Sequence, residues 1–192
     1  MVNKTAEIRW WSSEKTKMWS WFQKNIWKSH EGEPEERTDY YFKTIGEGSG
    51  IKWREGNLEF KFRTSKCDLA VGALEVYVKE SLPSELALID LPTHEMVAVA
   101  KTRYKRITHP GRGFIQEGDT TIDAGCQMEY TEVKFDERQV LHTIGFEAFD
   151  ENGGEVELLR KTLEYFSLTE EFFSKENSAG YVAKIKELTS KK

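Results

Sequence analysis

The sequence predicts an α+β fold: a mainly antiparallel, eight-stranded closed β-barrel, a tunnel, flanked by helices. Three observations carry this. About eight segments between Glu7 and Phe149 alternate polar and apolar residues with period two. Helical spacing is confined to the two ends, so there is no βαβ alternation and no reason for a parallel sheet. That many strands in a 192-residue chain favour closure, which removes exposed sheet edges. The chain is read as one domain, 1–192, with an amphipathic helix near 14–28 and C-terminal helices near 154–190.

Glu7-Ile8-Arg9-Trp10-Trp11 alternates and reads as a short strand. Ser12 or Ser13 can cap the helix that follows, in which Met18, Trp19, Phe22, Ile26 and Trp27 recur at helical spacing. That stripe is read as core, with a partner-binding face as the alternative. Ser29 to Glu36 reads as an exposed loop. Thr38 to Phe42 is β-rich. Gly46, Gly48 and Gly50 surround a turn and lack the strand-then-helix setting of a nucleotide fingerprint. Ile51–Arg54 and Leu58–Arg63 form a hairpin about Glu55-Gly56-Asn57. Val71–Val78 is a strand, Leu82 to Glu85 a short helical turn, and Pro92 closes that excursion. Val97–Ile107 is a long strand, followed by loops at Pro110, Gly111, Gly113 and Gly118. Gln127–Phe135 and Val140–Phe149 form a second hairpin about Asp136-Glu137-Arg138. Val156, Leu159, Leu163 and Phe166 then mark a helix, Ser167 with Glu170 a capping box, and Tyr181, Ile185 and Leu188 a last helix.

Composition narrows the function classes. Aromatic residues make up 12% of the chain, against disorder. No apolar run approaches the roughly 20 residues needed to span a bilayer. The segment Met1 to Glu7 has no signal-peptide core, so a cytoplasmic location and no membrane partner are expected. Two cysteines, Cys67 and Cys126, are too few for a disulfide framework or a thiolate zinc site and are read as reduced, half-buried thiols. His30, His94, His109 and His142 lack ligand spacing. The formal net charge of −5 argues against nonspecific nucleic-acid binding.

Charge placement says more than its sum. Alternate strand residues share a face. That joins Lys52 with Arg54, Glu59 with Lys61 and Arg63, and Lys101 with Arg103 and Lys105. Trp53, Phe60, Phe62, Thr102 and Tyr104 fall on the opposite face, suited to packing under outer helices. The basic face is either solvated or lines a concave anion site. If concave, crowded cations repel one another and a polyanion relieves them; arginine forks match phosphate oxygens and lysines add point charges. Glu7, Glu129 and Glu147, on strands, are candidate inward ligands for Mg²⁺ or Mn²⁺, which prefer oxygen donors.

In chain order these residues resemble the CYTH superfamily, the triphosphate tunnel metalloenzymes that include thiamine triphosphatases and class IV adenylyl cyclases. Glu7 to Trp11 stands where that family has its ExExK strand, and Arg37 to Phe42 is similar to its D-x-Y-F-D segment. Ile51 to Gly56 with Leu58 to Arg63 looks like its basic hairpin, and Ala100-Lys101-Thr102-Arg103 like its K-x-R strand. Glu129 to Val133 resembles its E-L-D-E-V strand, Gly145 to Ala148 its E-x-E strand, and Ala179 to Val182 its Ser-Tyr element. The resemblance implies a basic tunnel that takes a triphosphate with a divalent metal. The substrate-binding set is then Lys52, Arg54, Lys61, Arg63, Lys101, Arg103, Arg37 and Arg9, and the metal ligands are Glu7, Glu129 and Glu147. The chain departs from the pattern at four positions: Arg9 for a glutamate, Trp11 for the lysine, Thr131 for the aspartate and Gly145 for the first glutamate of E-x-E. Arg9 repels a cation rather than ligating it. Trp11, if inward, narrows the tunnel or offers a stacking face.

Three functions remain open. The first is a metal-assisted hydrolase of a triphosphate or polyphosphate, a small-molecule partner, with a metal-bound water as nucleophile and no assigned catalytic side chain. The second is a non-catalytic phosphate-binding module that has lost part of its metal site. The third is a partner-binding protein using the Trp-rich helix. Convergence of the three glutamates favours the first; an ion pair of Arg9 with Glu129 or Glu147 favours the second.

Overall fold

A computed structural model describes residues 3–28, 32–43, 48–82, 96–109, 111, 113–115, 122–135 and 140–190. The expected turns at Leu82–Glu85, Pro92 and Asp136–Arg138, the loop positions Gly46, Pro110 and Gly118, and His30 and His94 lie wholly or partly outside these residues. β1 (Asn3–Ser12) leads into α1 (Lys15–Phe22), which runs on through one π-helical turn, Gln23–Trp27. β2 (Glu35–Phe42), β3 (Ser49–Arg54), β4 (Asn57–Leu69) and β5 (Gly72–Leu82) follow. Then come β6 (Met96–His109), β7 (Gly113–Phe114), β8 (Ala124–Phe135) and β9 (Val140–Asp150). α2 (Glu155–Phe166) and α3 (Tyr181–Ser190) end the described chain.

The strands pair in the order β2-β3-β4-β5-β1-β9-β8-β6, and β6 pairs back to β2. Every pairing is antiparallel, so eight strands close a barrel, and the two-residue β7 continues along β6 beyond the end of β2. At the β3–β4 turn both Glu55 (φ 47) and Gly56 (φ 81) are left-handed, the backbone a two-residue hairpin with the native twist requires.

Alternation divides each strand between two environments. Ala6, Ile8 and Trp10 point out of the barrel, beside Met128, Tyr130, Ile144, Phe146 and Ala148 of β8 and β9. Met18, Trp21, Phe22 and Ile26 of the first helix cover this face, joined by Leu158, Leu159 and Leu163 of α2 and by Phe172 and Phe173. The main hydrophobic core therefore lies outside the barrel wall. Trp10 sits at its centre, edge-on to Phe146 and Phe173, with its Nε1–H donating to the Val71 carbonyl at 2.7 Å. Arg106 donates to the Ile26 carbonyl at 3.1 Å, satisfying an orphan acceptor where the π turn ends.

A second cluster points inward: Trp11, Tyr41, Val97, Val99, Val133 and Phe135, with Ile185 of α3 packed against them. These residues share strand faces with the charged groups further along, so they plug one end of the barrel. Segment 177–179 anchors α3 there. Trp11 N–H donates to the Asn177 carbonyl at 2.9 Å and Ala179 N–H to the Arg9 carbonyl at 3.1 Å. They use the edge of β1 that β5, paired only with Asn3 to Glu7, leaves free.

Local expectations needed four corrections. Ser167 with Glu170 does not form a capping box. Ser167 ends α2 in the left-handed region (φ 45, ψ 64), whereas an N-cap needs extended backbone, and no helix follows before α3. The first helix starts from Glu14, with the Ser12 hydroxyl accepting its N–H at 2.9 Å. Tyr104 packs under the helix against Trp19 and Trp27 as expected, but Phe62 is 44% exposed and stacks on Phe60. The cysteines differ rather than match: Cys67 is exposed and Cys126 fully buried. No helix among the described residues is long and apolar enough to cross a membrane.

Candidate functional site: a charged lumen

Beyond the plug the barrel encloses a cavity of about 350 Å³. Nine cationic side chains line it among the described residues: Arg9 of β1, Arg37 of β2, Lys52 and Arg54 of β3, Lys61 of β4, Lys79 of β5, and Lys101, Arg103 and Lys105 of β6. Seven of the eight anticipated phosphate ligands are thus brought together. The eighth, Arg63, is not in the lining. β4 shifts register between Arg63 and Ser65, and Arg63 bonds Glu75 at 2.5 Å.

The cations are held apart by acids. Glu7 receives Lys61 at 2.5 Å and Lys79 at 2.9 Å, and Lys79 also reaches Glu147 at 2.5 Å. Asp39, fully buried, receives Lys101 at 2.5 Å and Arg54 at 2.7 Å. Glu59 receives Lys52 at 2.7 Å and Arg54 at 2.9 Å. Glu35 gathers Arg37 at 2.5 Å, Lys105 at 2.7 Å and Arg103 at 3.1 Å. Glu129 is clamped from two sides, by Arg9 at 2.5 Å and by Arg103. These six acids face nine cations, an excess of three positive charges.

Burial and neighbours set the ionisation of these groups. Burial drives the Glu7 carboxyl up, but Lys61 and Lys79 together outweigh it and hold it well below the usual range. The same contest, against Arg103 and Arg9, depresses Glu129. Glu35 is held down at about 2: burial opposes, while Lys105, Arg103 and Arg37 prevail. Burial pushes Lys52 down to about 8, with Asp39 opposing and Arg54 assisting. Glu7, Glu35, Asp39, Glu59 and Glu129 are all held as anions by the cations beside them. Burial lowers Lys61 as well as Lys52, and Lys101 strongly.

Aromatic rings complete the lining. Lys101 Nζ sits 3.9 Å from the Tyr181 ring centroid and donates to the Tyr41 hydroxyl at 2.9 Å. Arg9 lies 4.6 Å from the Tyr181 ring centroid and Lys61 4.0 Å from that of Tyr77, geometries in which a cation is attracted to the π face. Trp11 does point inward, yet it offers no stacking face. It is 4% exposed in the plug, against Tyr181 and Phe135, and donates to the Ala179 carbonyl at 2.7 Å. His142, buried, bonds the Tyr130 hydroxyl at 2.9 Å and is structural.

Glu7, Glu129 and Glu147 do not fit a divalent ion. Among the described residues no group of three His, Cys, Asp or Glu is arranged to hold a metal. Each of the three glutamates is already bonded to a fixed cation, and Arg9 stands beside Glu129. Gly145 explains how it can. A Cβ there would lie 2.5 Å from Arg9 Nη2 and 2.6 Å from Cζ, so the missing side chain is the space the guanidinium fills.

Sequence reasoning placed Glu59 on the basic face but missed Lys79, Asp39, Glu35 and Tyr181 as lumen groups. Lys79 was legible, because Tyr77 and Lys79 alternate with the apolar Val76 and Val78. Glu35 was not, since it lies in a segment read as loop.

The chain matches no protein-family model, and no curated protein matches it. Several solved structures are similar to it, among them the following. The PH1819 protein of Pyrococcus horikoshii is 14% identical, with 98% of this chain and 99% of that chain covered and a TM-score of 0.49. A proposed adenylate cyclase of Bacillus halodurans is 13% identical over 88% and 93%, TM-score 0.43. The Pct1 RNA triphosphatase of S. pombe, in complex with the Spt5 CTD, is 9% identical over 86% and 83%, TM-score 0.35. The closed eight-stranded barrel read from this chain's own strand pairing is the fold that the CYTH resemblance implies.

Proposed function

We propose that the lumen binds a small molecule carrying a linear triphosphate or polyphosphate group and holds it without hydrolysing it. One observation carries this reading: among the described residues nine cations line one cavity, and the six acids paired with them, four in the lining and Asp39 and Glu35 beside it, leave a surplus of three positive charges. A chain of phosphates supplies several charges at short spacing, and its oxygens accept from arginine forks and lysine ammoniums alike. The acids keep the empty site folded by pairing the cations, and an arriving phosphate chain takes over part of that pairing.

Hydrolysis is the weaker alternative because the three carboxylates assigned to Mg²⁺ or Mn²⁺ are spent on Arg9, Arg103, Lys61 and Lys79. The Arg9–Glu129 pair is the arrangement that favours the binding module. A negative overall charge and a lumen this small support a small-molecule ligand rather than nucleic acid.

The test is calorimetric titration and thermal melting with tripolyphosphate, ATP and thiamine triphosphate, alongside assays of phosphate and pyrophosphate release with Mg²⁺ or Mn²⁺. Binding of triphosphates in preference to orthophosphate, without release, is expected. Metal-dependent release that disappears in Glu147→Ala establishes the hydrolase instead. Absence of binding removes the lumen as a triphosphate site.

A further inference from the structure

The lumen already contains a cation where a divalent ion is expected. Arg9 lies in the barrel wall with its guanidinium directed into the cavity, in the space a side chain at position 145 would take. It is fixed on three sides: by Glu129 Oε1 at 2.5 Å, by Thr143 Oγ1 at 3.3 Å, and by the face of Tyr181 at 4.6 Å. Glu129 is itself pinned from the far side by Arg103, so Arg9 cannot swing away without leaving a buried carboxylate half-paired. A guanidinium has five N–H donors. Among the described residues, the hydrogen bonds of Arg9 use one on Nη1 and one on Nη2, which leaves three for a ligand in the cavity it lines.

We infer that Arg9 acts as a resident cation that bridges Glu129 to the bound phosphate chain, so that this protein binds the metal-free anion; this rests on the triphosphate-binding reading above. A divalent ion entering the same space meets Arg9, Arg103, Lys61 and Lys79 around the three glutamates, and each of them repels it. The specificity this creates is unusual for a triphosphate site. Mg²⁺ complexes tripolyphosphate in solution and lowers its charge, so the ion competes with the protein for the ligand instead of assisting binding.

The experiment is isothermal titration of the full chain with sodium tripolyphosphate, once in EDTA and once with excess Mg²⁺, at constant ionic strength. The wild-type protein is expected to bind at least as tightly in EDTA as in Mg²⁺. Arg9→Gln, which keeps a polar side chain but removes the charge, is expected to lose about ten- to a hundredfold in EDTA, the cost of a charged hydrogen-bond set. Wild-type binding that is tenfold or more tighter with Mg²⁺ overturns the inference and leaves the triphosphate site standing. So does an Arg9→Gln protein with unchanged affinity in EDTA. No binding in either buffer overturns the triphosphate reading itself, and the inference with it. If Arg9→Gln does not fold, Arg9→Lys preserves the charge without the planar fork and is expected to keep metal-independent binding at reduced affinity, while the wild-type comparison decides on its own.

Discussion

Position 145 and Arg9 share one space, and their substitution energies should therefore be coupled. Gly145→Ala forces a Cβ against the guanidinium and is expected to destabilise the protein by about 1–3 kcal/mol in urea unfolding. In an Arg9→Ala background that loss should largely disappear, because neighbours competing for a single volume are not additive. Lys52 carries a second prediction. Its value in the folded protein, about 8, lies below its ordinary 10.5, so the native state holds fewer protons than the unfolded chain between those limits. Its contribution to stability therefore rises with pH across that window. Anion affinity runs the other way, since the ligand needs the ammonium. Binding should weaken as pH rises through 8 and should take up protons there, with Asp39, Glu59, Arg54 and Lys101 as the charges facing Lys52. Burial also pushes Lys61 and Lys101 down, so both titrate in the same sense. Lys52→Arg should flatten the part of the profile centred near 8, read by titration across pH 6.5 to 9.5.

Among the elements, the strands were legible and their ends were not. Period-two alternation survives wherever one face meets helices and the other meets the lumen, and both conditions hold along β1, β6, β8 and β9. Ser167 shows the limit. Its spacing to Glu170 satisfies a capping rule, but the left-handed backbone that turns the chain toward Phe172 and Phe173, both buried, overrides it. β7 escaped notice because two residues cannot display a period. Trp11 could be placed on the inner face from its alternation with Trp10, yet its role as plug rather than platform depends on α3, more than 160 residues away. That makes α3 testable. Ile185 is 4% exposed against the inward apolar cluster, and Ile185→Ala is expected to cost about 2–5 kcal/mol, measured from the denaturant midpoint.

For the molecule as a whole, the placement of charge matters more than its total. A chain of net charge −5 gathers nine of its 28 lysines and arginines inside the barrel and sets its largest apolar cluster on the outside, under helices. Strand alternation made this inversion legible, and with it Glu7, Glu59, Glu129 and Glu147; Asp39 and Glu35, which complete the six acids, stood out in no pattern. A ligand that binds only the native state, at a hundred times its dissociation constant, adds about 2.7 kcal/mol of stability. For a chain of this length that is a rise in melting temperature of roughly 5–10 °C, which added salt should diminish. The seam between β1 and segment 177–179 bears on how the protein is made. Trp11 donates to a carbonyl 168 residues further along, and β1 also needs β9 beside it. On a ribosome adding about 5–20 residues per second, the first strand waits roughly ten to thirty seconds for its last partner. Throughout that interval Trp11 has no barrel to plug and Ile8 and Trp10 lack the sheet and helices that cover them, so the nascent chain offers a chaperone an aromatic target that the finished protein hides.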